Sequence, residues 1–260
     1  DAFTRAKEYE QEWNSYKGKE KTTVKPRRNL RLETLVEIMN RKRFITCHSY
    51  QQGEINMLMH VADSMGFKIN TFTHILEGYK VADKLKAHGA GASSFSDWWA
   101  YKYEVMEAIP YNGAIMHDVG LVVAYNSDDA EMARRLNQEA AKAVKYGNVS
   151  EEEALKFVTL NPAKLLHIDD KVGSVKVGKD ADVVLWNDNP LSIYARVLMT
   201  FIDGACYYSE ENDVRMRAQI REERAQLIKK MNAEKNKLPA SDIKKPAFKV
   251  NQLHHCMDEE

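Results

Sequence analysis

The chain has 260 residues, of which 44% are hydrophobic and 29% are charged, with 38 basic and 38 acidic side chains. This length allows a sizeable hydrophobic core, and the formal net charge of zero gives no reason to expect nucleic-acid binding. No window approaches the roughly 18 consecutive apolar residues that a membrane span needs. The three cysteines, Cys47, Cys206 and Cys256, are odd in number and widely spaced, which argues against a disulfide framework and a cysteine-based zinc site.

The first 43 residues predict two helices, at 1–17 and 32–41, joined by a basic polar connector. Residues 1–30 are charged and lack the apolar segment of a signal peptide. The compartment therefore stays open between cytoplasmic and exported, and we expect the sequence upstream of Asp1 to decide it.

Residues 44–165 repeat one pattern, in which a short apolar run is followed by an amphipathic helix. The predicted strands lie at 44–48, 67–74, 90–95 and 120–125. The helix that follows the fourth strand is expected from Asp129 to about Tyr146. Successive strand–helix units imply parallel strands with right-handed crossovers. The expected fold class is α/β, as half of a barrel or as a small doubly wound sheet.

Residues 166–209 change to short alternating strands, predicted at 172–175, 177–180, 181–186 and 198–208, and indicate a separate all-β unit. Residues 210–260 predict a charged helix over 214–238 and then a tail. The cluster His254-His255-Cys256 in that tail is most simply a surface cluster.

Three polar residues follow predicted strands of the repeating region. His48 and His74 each end a strand, and Asp128 follows the strand two units later. If these strands are neighbours in one sheet, the three side chains share its carboxyl-end face. Two imidazoles and a carboxylate suit Zn²⁺, or Fe and Mn ions.

Simpler interpretations stand beside this one. A lone histidine at a strand end is more often a hydrogen-bonded structural residue than a ligand. Ser127 and the two aspartates that follow it also resemble a helix N-cap, which fits Asp129 in particular. The other histidines before the C-terminal tail fall on helices or helix ends, and we interpret them as structural: His60, His88, His117 and His167.

Five segments of the chain resemble the amidohydrolase superfamily, and most closely its imidazolonepropionase-like branch. The segments are FITCHSYQQGEI (44–55), NTFTHILEG (70–78), VVAYNSDD (122–129), EEEALKFVTLNPAKLL (151–166) and VGSVKVGKDADVVLW (172–186). The resemblance covers about residues 30–208. It implies a (β/α)8 barrel beside a small β-sandwich. This chain would supply barrel strands five to eight, the C-terminal part of the sandwich and a helical tail.

The same resemblance implies roles for individual residues. His48 would be the metal ligand of strand five, and His74 the strand-six histidine that either binds a second metal or hydrogen-bonds the substrate. Asp128 would bind metal and act as the general base on strand eight. Substrate contacts would come from Trp98, Tyr101 and Tyr103 after strand seven, with packing under the loop an equal alternative for these rings, and from Glu77.

The implied function is metal-dependent hydrolysis of an amide, cyclic amide or peptide-like C–N bond in a small molecule. The cofactor would be one or two divalent ions, with Zn²⁺ the first choice. The superfamily's strand-one His-x-His pair does not occur in these residues, nor does a convincing strand-four lysine or glutamate. We therefore expect a C-terminal piece that is inactive without an N-terminal half, in the same or a separate chain. A binding or regulatory module, a deaminase using the same site, and a homo-oligomer stay open.

Overall fold

The computed structural model describes residues 1–236 apart from 21 and 99. The predicted tail at 239–260, with His254, His255 and Cys256, lies outside the described residues. The described chain divides into two units, one formed by residues 1–179 and 190–193 and the other by residues 180–189 and those from 194 onward. None of its helices is long and apolar enough to cross a membrane.

The first unit begins with two helices, α1 (Ala2–Tyr16) and α2 (Leu30–Met39). Asn29 begins α2 because its side-chain oxygen accepts from the free N–H groups of Arg31 and Leu32. The Tyr9 hydroxyl donates to Glu33 at 3.0 Å and joins the two helices. The predicted helix–connector–helix arrangement is confirmed.

A four-stranded parallel sheet follows, in the order β1-β2-β3-β4. Its strands are β1 (Thr46–His48), β2 (Thr71–Thr73), β3 (Gly91–Ser94) and β4 (Val123–Tyr125). The helices between and after them are α3 (Gln52–Met65), α4 (Ala82–His88), α5 (Asn112–Val119), α6 (Ala130–Ala133), α7 (Leu136–Gly147), α8 (Glu151–Lys156) and α9 (Leu160–Leu165). Single 3₁₀ turns occupy Gly78–Val81 and Tyr103–Val105. The predicted α/β class with parallel strands is confirmed.

The predicted bounds of strand β2 and of the helix after β4 differ from the structure. Strand β2 is shorter than the predicted 67–74, because the Ile69 N–H bonds His88 Nε2 at 3.1 Å and not a neighbouring strand. The single helix predicted from Asp129 to Tyr146 is interrupted at residues 134–135, between α6 and α7. The Ser150 cap is confirmed, since its hydroxyl accepts from the Glu153 N–H at the start of α8.

The pleat of the sheet separates an apolar face from a polar one. Cys47, Phe72, Ala92 and Val123 are in register and pack against the helices, with Phe72 and Val123 fully buried. The opposite face carries His48, Thr73, Ser93 and Ala124 in one row. On strand β1, at the edge of this sheet, Thr46 and His48 are exposed. Polar groups of the site therefore lie on the face away from the core.

The second unit contains a three-stranded antiparallel sheet and a long helix. The strands are β5 (Val183–Trp186), β6 (Val197–Ile202) and β7 (Ala205–Ser209), and helix α10 spans Glu210–Lys235. Asp203 and Gly204 make the β6–β7 turn with φ of 50° and 77°, which suits a two-residue hairpin turn. The Ser209 hydroxyl accepts from the Asn212 N–H at 3.2 Å and begins α10.

The strands predicted at 172–175 and 177–180 are wrong, and the second compact unit of the described chain begins at residue 180. These residues form turns held by the Lys179 ammonium, which donates to the Val172 carbonyl and the Ser174 hydroxyl. Gly173 has a φ of 85°, and a Cβ there would lie 2.7 Å from that of Ala163. The segment therefore packs against α9 as a tight turn and pairs with no strand of the described chain.

Candidate active site at the carboxyl ends of the parallel strands

His48, His74 and Asp128 lie together at the carboxyl ends of β1, β2 and β4. The imidazole rings of His48 and His74 have centroids 4.6 Å apart. Asp128 Oδ2 lies 3.6 Å from His74 Nε2. The structure thus brings together the three residues that the sequence singled out, although 80 residues separate the first from the last.

The environment of His74 favours a neutral imidazole. Its backbone has a φ of 59°, in the left-handed region, and its side chain is 11% exposed. Burial is the main cause that lowers the pKa of His74, and the charges of His48 and Lys102 lower it further, whereas Asp128 opposes the shift. A neutral ring is the form that can accept a metal ion or exchange a hydrogen bond with substrate.

Asn126 contacts the other nitrogen of His74. Its amide nitrogen lies 3.0 Å from His74 Nδ1, and its amide oxygen accepts from the Ser93 hydroxyl at 2.6 Å. An amide that donates to Nδ1 leaves the ring proton on Nε2, directed towards Asp128. If the Asn126 amide is flipped, so that its oxygen and nitrogen exchange places, the oxygen accepts from Nδ1–H and Nε2 becomes free to bind a metal.

The two aspartates after β4 have different tasks. Asp129 caps α6, with Oδ1 accepting from the N–H groups of Glu131 and Met132 at 2.9 Å. This confirms the helix-cap interpretation of Asp129. The Asp128 side chain is 44% exposed and faces His74. The capping role therefore belongs to Asp129, and the Asp128 carboxylate is available for chemistry.

A row of aromatic rings leads away from His74. Phe95 stacks on His74 with centroids 4.7 Å apart, Trp98 stacks on Phe95 at 4.5 Å, and Tyr101 meets Trp98 edge-on at 5.6 Å. Trp98 and Tyr101 are partly buried in a small cluster with Phe95. Their contact with substrate stays a prediction, and the packing alternative accounts for part of their surface.

Two further predicted contact residues lie elsewhere. Tyr103 is 80% exposed and is not part of this aromatic cluster. Glu77 is buried, and its carboxylate accepts from the Gln52 N–H at 2.9 Å and pairs with Lys80 at 3.3 Å. Glu77 thus fixes the start of α3, and a role in binding substrate stays a prediction for both residues.

Sequence reasoning missed Tyr50 and Lys102. The Tyr50 ring lies 4.7 Å from the His48 ring, and its hydroxyl accepts from the Lys102 ammonium at 3.1 Å. Burial and a hydrogen bond to Tyr50 raise the pKa of Tyr101. The available signals were the position of Tyr50 two residues after His48 and the place of Lys102 beside Tyr101.

A charged cluster fixes the loop that carries the aromatic row. The Lys142 ammonium on α7 bonds Asp97 at 2.7 Å and Glu139 at 3.0 Å, and the Ser96 hydroxyl donates to Glu139. Glu139 is 5% exposed. This Asp97–Glu139–Lys142 cluster ties the loop after β3 to helix α7.

The donor types at this site suit a divalent metal, since imidazole and carboxylate are the usual non-thiolate ligands of Zn²⁺. Within residues 1–236, leaving aside 21 and 99, no group of three or more His, Cys, Asp or Glu side chains is arranged to hold a metal ion. His48 and His74 lie close to each other, and Asp128 lies close to His74. The types of donor therefore fit a metal ion, but the three residues form two neighbouring pairs, His48 with His74 and His74 with Asp128.

The chain is similar in sequence to amidohydrolases and to an imidazolonepropionase. The sequence profile of the amidohydrolase family matches residues 107–206, a range that includes Asp128. Amidohydrolase tasK of Hapsidospora irregularis is 28% identical over 187 residues, which cover 70% of this chain and 19% of that protein. The imidazolonepropionase of Thermoplasma volcanium is 29% identical over 135 residues, 51% of this chain and 33% of the relative.

Two solved structures resemble this chain in fold. An amidohydrolase from Thermotoga maritima MSB8 aligns with a TM-score of 0.70 and 25% identity, covering 81% of this chain and 54% of that chain. Ochratoxinase of A. niger, at 19% identity and a TM-score of 0.51, shares the fold. The chain spans about half the length of the Thermotoga structure and a third or less of the two curated relatives.

Proposed function

From the match of residues 107–206 to the amidohydrolase family and the similarity to the Thermotoga maritima amidohydrolase, we propose that this chain supplies one side of the active site of a metal-dependent hydrolase of C–N bonds. The proposal rests on one observation: His48, His74 and Asp128 lie close together at the carboxyl ends of parallel strands. Those ends are where catalytic groups of α/β barrels gather.

The proposed cofactor is a divalent metal, with Zn²⁺ the first choice, held by His48 and Asp128. When bound, such an ion lowers the pKa of a water molecule from 15.7 to about 7 and polarises the scissile carbonyl. Members of the superfamily generally use a divalent metal, which supports this choice.

Asp128 is the proposed general base. Its half-exposed carboxylate accepts the proton of the attacking water and then delivers it to the leaving nitrogen. Positioned proton transfer of this kind contributes about 10² to 10⁴ in rate.

His74 has two possible tasks, and the observed contacts favour one of them. With the Asn126 amide donating to Nδ1, the Nε2–H of His74 is the donor that would bind the substrate carbonyl oxygen. Ligation of a second metal by Nε2 would require the turned amide of Asn126.

We further propose that the four-stranded sheet is the C-terminal half of a (β/α)8 barrel and that the other ligands come from outside these residues. Supporting this, strand β1 is an edge strand with an exposed polar face, and open sheet edges are avoided in stable soluble proteins. The occupant of that edge would be the N-terminal half, in the same or another chain.

The test measures metal content and amide hydrolysis of this chain assembled with the N-terminal half. We expect stoichiometric metal that is lost in His48→Ala, and a rate at least ~10²-fold lower in Asp128→Asn. His60→Ala, at an exposed position of α3, is the matched control. If His48→Ala and Asp128→Asn keep the metal content and rate of the control, the proposed function is wrong.

A further inference from the structure

Lys102 carries a positive charge to the rim of the candidate site. Its ammonium lies 3.1 Å from the Tyr50 hydroxyl, and Tyr50 lies against His48. The positive charge of Lys102 is one of the causes that lower the pKa of His74. Lys102 therefore shares the face of His48 and His74.

No carboxylate among the described residues lies within ion-pairing distance of the Lys102 ammonium, in contrast to Lys80 and Lys142 of the same unit. Among the described residues, its side-chain partner is the Tyr50 hydroxyl, which accepts one hydrogen bond. An ammonium has three donors, so two N–H groups are left for other acceptors.

Two aromatic rings surround this ammonium. Its nitrogen lies 4.3 Å from the centroid of the Tyr50 ring and 5.7 Å from that of Tyr101, and Lys102 itself is only partly exposed. Partial burial beside these rings lowers the local dielectric constant, which strengthens the attraction between the ammonium and an incoming anion. They also hold the charge in a fixed place next to the imidazoles.

We propose that Lys102 is a specificity-determining residue, whose ammonium binds a carboxylate of the substrate near the scissile bond. The inference rests on the proposed function for the nature of the scissile bond. The carboxylate contact itself requires only the geometry of Lys102, Tyr50 and His48.

The test measures binding of N-acetyl-L-phenylalanine and of its carboxamide, N-acetyl-L-phenylalaninamide, to the full chain by isothermal titration calorimetry. Asp128→Asn serves as the background, so that turnover does not interfere. We expect the acid to bind at least about tenfold more tightly than the amide. Lys102→Gln should remove that preference and leave binding of the amide unchanged, while Lys102→Arg should keep most of it.

Lys84→Gln is the matched control, because it removes the same charge from an exposed position on α4. The inference is overturned if the acid does not bind, if acid and amide bind equally, or if Lys102→Gln weakens both to the same extent, as a packing role would. Failure of the proposed function is separate, since it appears as unchanged hydrolysis in Asp128→Asn and does not alter the acid preference.

Discussion

At the scale of single residues, Asn126 decides which nitrogen of His74 carries the proton. Its amide lies between the Ser93 hydroxyl and His74 Nδ1, so one side chain sets the ring tautomer. The ring proton lies on Nε2 as long as the amide nitrogen faces the imidazole. Whether His74 donates to substrate or binds metal therefore depends on a neighbour that is not itself a ligand.

The variant Asn126→Asp tests this dependence. A carboxylate can only accept, so the proton of His74 should move from Nε2 to Nδ1. The ¹⁵N chemical shifts of the two ring nitrogens report the tautomer directly. Asn14→Asp, at an exposed position of α1, makes the same change away from the site and should leave those shifts unaltered. The same tautomer in Asn126→Asp and the unmodified protein would contradict this account.

His88 is the clearest source of acid sensitivity. Its Nε2 accepts from the Ile69 N–H, and its Nδ1 contacts Asp63, which also pairs with Lys68. Burial is the main cause that lowers the pKa of His88 below 6.5, the nearby Lys68 lowers it further, and Asp63 opposes the shift. Protonation at Nε2 would remove the acceptor of the Ile69 N–H.

The sign of the pH effect follows from this lowered pKa. Below pH 6.5 the unfolded chain takes up a proton at His88 before the folded chain does, so stability falls as the pH drops towards the lower folded pKa. Urea unfolding at pH 7 and pH 5 should show this loss, and His88→Gln should reduce it, because glutamine keeps a donor and an acceptor but does not titrate. An unchanged pH dependence in His88→Gln would rule out this source.

At the scale of elements, the loop after β3 is fixed by the Asp97–Glu139–Lys142 cluster. Lys142→Met leaves the buried Glu139 without its cation, and we expect a loss of about 1.5–3 kcal/mol in the free energy of unfolding. Chemical denaturation measures this loss. Lys145→Met, at an exposed position on the same helix, should cost much less.

The double variant Lys142→Met with Glu139→Gln separates an unpaired charge from lost packing. Removing the buried carboxylate together with its partner should recover part of the stability, since a neutral amide is easier to bury than a lone charge. If the double variant is as unstable as the sum of the two single variants, the pairing does not explain the cost.

At the scale of the whole molecule, both units leave apolar side chains in contact with water. In the second unit Val183, Val184 and Leu185 are all exposed although they form one strand, and in the first unit Phe44, two residues before the edge strand β1, is 51% exposed. Large exposed apolar surfaces mark interaction sites or association. Such surfaces fit the proposal that further parts of the protein cover them.

We therefore expect the isolated chain to bind the dye ANS strongly and to show several-fold weaker dye fluorescence when assembled with the N-terminal half. A matched measurement on the assembled protein carrying Thr46→Pro tests the edge strand itself, because proline removes a backbone donor and disturbs pairing at β1. Equal dye fluorescence with and without the N-terminal half would contradict the proposal.

The sequence by itself determined the repeating strand–helix pattern, the caps at Ser150 and Asp129, and the placement of His48, His74 and Asp128 at strand ends. These features are local: they follow from the alternation of apolar residues and from side chains that bond backbone groups two or three positions away. Parallel pairing then followed from the order of the units. The predicted strands at 172–180 were wrong because alternation alone does not supply a partner strand.

Only the tertiary structure decided which of these residues meet. The contact of Asn126 with His74 joins positions 52 apart, and Lys102 reaches Tyr50 across the same separation. Glu77 and His88 likewise accept hydrogen bonds from backbone N–H groups that are distant in sequence, those of Gln52 and Ile69 respectively. Such contacts depend on the relative placement of strands and loops, so no pattern within a single segment could have predicted them.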